Sequence, residues 1–105
     1  MTAYRDMKLI SPVLREQPDG WMHFICPGCK RPHTVNVSPK NHNVVWGYNG
    51  NAEKPSFTPS ILTTRDHANE RCHSYVTDGR IQFLADCHHE LAGKTVDLPE
   101  WENVP

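Results

Sequence analysis

The sequence has no apolar run near the ~18 residues that a membrane-spanning helix needs. It has no phosphate-binding G-x-x-x-x-G-K-[ST] loop, no G-x-S-x-G elbow and no G-x-G-x-x-G fingerprint. Nucleotide-phosphate chemistry and the α/β-hydrolase signature are therefore not indicated. Apolar residues are scarce at 37%, against the ~45–50% typical of soluble domains when glycine is counted. The core is expected to be thin, and a metal would supply stability that packing does not. Charge of one sign is also lacking. A net charge of −1 sets up no global field for nucleic acid or an anionic membrane. No repeat, linker or low-complexity segment divides the 105 residues, so one domain over 1–105 is expected. No apolar h-region follows Met1-Thr2-Ala3-Tyr4-Arg5-Asp6, which predicts a cytoplasmic chain. Thiols stay reduced there, which favours metal binding over disulfides.

What the chain does have is four cysteines and seven histidines. Cys26-Pro27-Gly28-Cys29 is a knuckle: Pro27 presets φ, Gly28 lets the backbone turn back, and both thiolates face one space. Cys72 and Cys87 supply two more sulfurs. Asp78-Gly79 is a type I′ hairpin signal between Ser74–Thr77 and Arg80–Leu84. Its register sets Thr77 opposite Arg80, Val76 opposite Ile81 and Cys72 opposite Ala85, so Cys87 should approach Cys72. Alternation along the strand sends Cys72 and His73 to opposite faces. The expected site is one Zn2+ held by Cys26, Cys29, Cys72 and Cys87. A mixed set stays open, with His33, His73, His88 or His89 replacing a later cysteine. Four protein ligands make a closed structural site, and three leave a position for water and hydrolysis.

His33 can be a ligand, a donor to a thiolate or a plain strand residue. His73 and His89 are expected to orient thiolates rather than to ligate. His23 is expected at the surface or half-buried, and His42 and His67 in solvated polar loops. A zinc deaminase is set aside because His88-His89-Glu90 follows the knuckle and Ile25 precedes Cys26. A Cys72–imidazole nucleophile pair needs more assumptions than a metal thiolate.

Strand signals dominate elsewhere. Met7–Glu16 and Trp21–Cys26 flank the turn Gln17-Pro18-Asp19-Gly20. Thr34–Val37 and Val44–Tyr48 read as short strands, and Glu53–Ser60, with Pro55 and Pro59, as an extended loop. Asp86–Ala92 fits one helical turn, with Asp86 as N-cap and Gly93 after its end. Thr95–Leu98 fits an edge strand and 99–105 a tail. The fold class is mainly β, a small β-rich α+β domain of antiparallel hairpins around a zinc knuckle.

The series Cys26-Pro-Gly-Cys29 with His33, Trp46–Gly50, Lys54–Ile61, Cys72–Val76, Asp78–Ile81 and Asp86-Cys-His-His89 with Leu91–Val96 resembles a family of small uncharacterised proteins of tailed phages and prophages. Some of them are labelled ammonia monooxygenase, a membrane copper enzyme that nothing here matches. The resemblance covers about 21–101 and includes Cys26, Cys29, His33, Cys72, His73, Cys87 and His89. It implies a small zinc-binding accessory protein in the host cytoplasm. The expectation is action by binding a host protein or complex, such as a defence system, rather than catalysis. The alternatives are a metal-dependent hydrolase with an open His-lined site and a nucleic-acid-binding zinc module. A small-molecule partner also stays open.

Overall fold

The computed structural model describes residues 8–41, 44–64 and 71–101. Met7, His42 and His67 and the end of the expected tail, 102–105, lie outside the described residues. Two antiparallel meanders make up the fold. The first has four strands in chain order: β1 (Lys8–Ser11), β2 (Leu14–Glu16), β3 (Trp21–Cys26) and β4 (Arg31–Asn36). The second has five: β5 (Gly47–Tyr48), β6 (Phe57–Thr63), β7 (Cys72–Thr77), β8 (Arg80–Phe83) and β9 (Thr95–Asp97). The inner faces meet in one apolar core. Leu14, Met22, Phe24 and Val35 pack against Phe57, Ile61, Val76, Ile81, Phe83 and Leu98. Phe24 and Phe57 stack across the sheets with ring centroids 6.1 Å apart.

The β7–β8 hairpin has the expected register, with Thr77 opposite Arg80 and Val76 opposite Ile81. Asp78 and Gly79 both have positive φ, at 51° and 79°, as a type I′ turn requires. Alternation holds as well. Cys72, Ser74 and Val76 are buried toward the core, while His73, Tyr75 and Thr77 face outward. Thr95–Asp97 is the edge strand expected there.

Four local readings need correction. The strand expected over Met7–Glu16 folds back on itself at Pro12-Val13, so that Ser11 pairs with Leu14; Pro12 cannot extend the ladder because it has no N–H. The strand after the knuckle starts earlier, at Arg31, and includes Pro32. β4 is an edge strand of its sheet, so the missing donor is tolerated. The extended loop over Glu53–Ser60 instead enters β6 at Phe57. Between the pairs Phe57–Val76 and Ile61–Ser74, Thr58, Pro59 and Ser60 face Tyr75 alone, so β6 bulges. The helical turn over Asp86–Ala92 is absent. That stretch is a string of turns, with Cys87 N–H donating to the Leu84 carbonyl, Ala92 to His89 and Lys94 to Leu91. Trp101, assigned to the tail, donates from its backbone to the Pro12 carbonyl, and Arg15 lies over its ring at 4.6 Å.

Candidate catalytic and metal sites

The knuckle hangs from the end of β3. Lys30 N–H donates to the Cys26 carbonyl at 2.7 Å, and Cys29 N–H donates to Cys26 Sγ at 3.3 Å. The residue in the left-handed region is Lys30, with φ 62°, not Gly28. Gly28 is required for another reason: a Cβ there would overlap the imidazole of His89. The bare glycine leaves the space beside the knuckle that this ring occupies. Phe83 supports the ring edge-on at 4.5 Å.

The inward-facing Cys72 of β7 completes the cluster. One atom each from Cys26, Cys29, Cys72 and His89 lie within 4.8 Å of one another. Cys26 Sγ is 3.8 Å from Cys72 Sγ, and Cys72 Sγ is 3.4 Å from His89 Nε2. A tetrahedral centre with metal–sulfur bonds of ~2.3 Å and metal–nitrogen bonds of ~2.05 Å has edges of ~3.8 Å and ~3.6 Å. The donor set fits a four-coordinate metal ion. His89 Nδ1 accepts from Leu91 N–H at 3.2 Å. A metal at Nε2 would move the ring proton to Nδ1 and end that bond.

Without a cation the three thiols compete for charge. Cys29 is held well below the usual thiol range, first by hydrogen bonds from Cys26 and Cys72 and also by the nearby His33 ring. Cys26 is pushed up to about 12 by the hydrogen bond it shares with Cys29, with burial adding to the shift. Cys72 is pushed up by hydrogen bonds with Cys26 and Cys29 and by burial. One thiolate shared by three clustered sulfurs, two of them buried, is a place prepared for a positive charge.

The other expected residues fall elsewhere. Cys87 is not among the four clustered donors: its thiol donates to the His73 carbonyl at 3.1 Å and accepts from His73 N–H at 3.2 Å. His89, expected as an orienting group or as a replacement for a later cysteine, is the fourth clustered donor. His33 is buried against Phe24, and neither of its ring nitrogens has a hydrogen-bond partner among the described residues. His88 is exposed, and its Nδ1 accepts from Arg71 N–H at 3.2 Å. His23 is buried rather than near the surface, its ring nitrogens 2.6 Å from Gln17 Oε1 and 2.9 Å from Thr34 Oγ1. Burial lowers its pKa, although Asp19 opposes the shift.

His73, on the outer face, belongs to a different constellation. Its Nε2 is 3.0 Å from Ser60 Oγ, and its Nδ1 is 3.4 Å from Asp86 Oδ2. Arg71 Nη1 lies 3.7 Å from the same carboxylate oxygen. Ser60 comes from the bulge of β6, His73 from β7, and Asp86 from the turn after β8. A hydroxyl bonded to one imidazole nitrogen, with a carboxylate on the other, is the geometry of a serine nucleophile, its base and the group that orients the base. Leu62, directly across from His73, and Tyr75 are exposed on the same face.

Sequence reasoning missed Ser60 and gave Asp86 the role of a helix cap. The register signal for Asp86 was available. Extending the β7–β8 ladder past its end sets Asp86 opposite Arg71, two residues from His73. Ser60 had no such signal, because the β6 bulge shifts its register by an amount that local sequence does not encode.

The sequence model of the family described as bacterial ubiquitination-like system serine protease (BubE) matches residues 3–84. The chain belongs to this family. The match begins well before the family-like region expected from residue 21 and bears on neither phage carriage nor a host partner. It takes in Ser60 and His73 and stops two residues short of Asp86. No curated protein and no solved structure is similar enough to this chain to add a relative. No helix among the described residues is long and apolar enough to cross a membrane.

Proposed function

We propose that this chain is a serine hydrolase of a bacterial ubiquitination-like system, with Ser60 as nucleophile, His73 as general base and Asp86 as the carboxylate that orients it. The line Ser60–His73–Asp86, a hydrogen bond of 3.0 Å followed by an ion-pair contact of 3.4 Å, carries the reading. Ser60 Oγ attacks the acyl carbonyl of the substrate while His73 Nε2 takes its proton, then returns it to the leaving group. Asp86 holds Nδ1–H, so Nε2 is left free to accept. Arg71 keeps the Asp86 carboxylate in place. The substrate fitting the family description is an acyl bond at the end of a ubiquitin-like protein.

The metal in this reading is Zn2+. Three thiolates and one imidazole suit a closed zinc site, which supports folding and leaves no open position for chemistry. This departs from the binding function expected from the sequence, because an oriented serine is wasted in a protein that only binds. The test is a fluorophosphonate probe. Ser60 Oγ attacks phosphorus, fluoride leaves, and His73 takes the hydroxyl proton. Wild-type protein should be labelled once per chain at Ser60, and Ser60→Ala not at all. Equal labelling of folded Ser60→Ala would end the assignment.

A further inference from the structure

Cys87 is buried at 7% exposure, one residue from Asp86, yet it sits outside the metal cluster. The β7–β8 ladder explains why. Leu84 N–H still donates to the His73 carbonyl at 2.9 Å, the bond expected of the next ladder pair. The return bond, from His73 N–H to the Leu84 carbonyl, is missing. That carbonyl has turned to accept from Cys87 N–H at 3.2 Å. The Cys87 thiol takes its place, accepting from His73 N–H at 3.2 Å and donating to the His73 carbonyl at 3.1 Å. One residue further on, His88 N–H donates to the Arg71 carbonyl at 2.9 Å.

We propose that Cys87 is a positioning residue for the hydrolytic site, its thiol locking the main chain of His73 to the turn that carries Asp86. The inference rests on the Ser60–His73–Asp86 reading. A continued ladder would keep residues 84–86 in strand geometry. The sulfur lets the chain leave the sheet while staying fixed to His73. Asp86 is thereby held between two anchors on His73, the Leu84 N–H before it and the Cys87 thiol after it, with its carboxylate 3.4 Å from His73 Nδ1. Removing the thiol frees one end of that span. A reacting group displaced by about 1 Å loses about 100-fold in rate.

The experiment measures fluorophosphonate inactivation of metal-loaded protein, separating the limiting rate from probe affinity. Cys87→Ser, whose hydroxyl donates and accepts, should stay within about threefold of wild type. Cys87→Ala, or Cys87→Val if the alanine variant does not fold, should lower the limiting rate about 100-fold with probe affinity unchanged. In an Asp86→Ala background the same change should cost nothing further, because Cys87 acts through that pair. Wild-type rates in Cys87→Val overturn the proposal, and so does metal loss from Cys87→Ser matching that of Cys72→Ser. A Ser60→Ala protein that still reacts fails the parent reading instead.

Discussion

Lowering the pH should strip the metal from this protein with a slope that reports its ligand set. In the metal-free protein Cys26 and Cys72 have raised pKa values and keep their protons at neutral pH, while Cys29, held low, is already a thiolate. Binding therefore releases two protons, and affinity rises with pH. Each released proton is worth a factor of ten per pH unit, so apparent Zn2+ affinity should fall about 10⁴-fold, or about 5 kcal/mol, between pH 8 and pH 6. The assay is competition with a chromogenic chelator across pH, under conditions where circular dichroism shows the metal-free chain folded. Proton release on titration with Zn2+ in weakly buffered solution measures the same count directly. A pH-independent affinity, with no proton released per metal, would refute the assignment of Cys26 and Cys72 as ligands.

Gly28→Ala should push the His89 ring off the knuckle and weaken Zn2+ by at least the roughly 10–100-fold of lost supporting contacts, read by chelator competition; unchanged affinity would show that His89 is no ligand. Gly79→Val should destabilise by about 1–3 kcal/mol in urea, because φ is 79° and its Cβ would lie 3.1 Å from Lys54 Cα. A wild-type denaturation midpoint would contradict the type I′ turn. Substituting Cd2+ for Zn2+ should leave Ser60 labelling intact, since the metal supports the fold. Chelation should abolish labelling and lower the melting temperature together, because Cys72 and His73 are neighbours on β7. Labelling that follows metal identity would favour the open-site hydrolase instead.

Much of the second sheet is legible in the sequence. Asp78-Gly79 selects one turn, the turn fixes one register, and period-two alternation then sends Cys72 inward and His73 outward. That alternation separates the Cys26–Cys29–Cys72–His89 cluster from the Ser60–His73–Asp86 line. The knuckle was legible as well, although its left-handed residue is Lys30 and not Gly28. The choice of fourth donor was not legible. Cys87 and His89 are two residues apart in a stretch of turns with no fixed period, and their facing depends on how Leu84, Cys87 and His88 share hydrogen bonds with Arg71 and His73.

By itself, then, the sequence determined the relations that short-range geometry enforces: turn type, hairpin register, strand alternation and the pairing of thiols within the knuckle. The tertiary structure decided everything that depends on separate segments meeting. Ser60 reaches His73 only because β6 pairs with β7 around a bulge opposite Tyr75. His89 reaches Cys72 only because Gly28 leaves room for its ring. A serine between Pro59 and Ile61 has no pattern of its own. The imidazole that would activate it lies 3.0 Å away on another strand, a distance set by packing and not by local sequence.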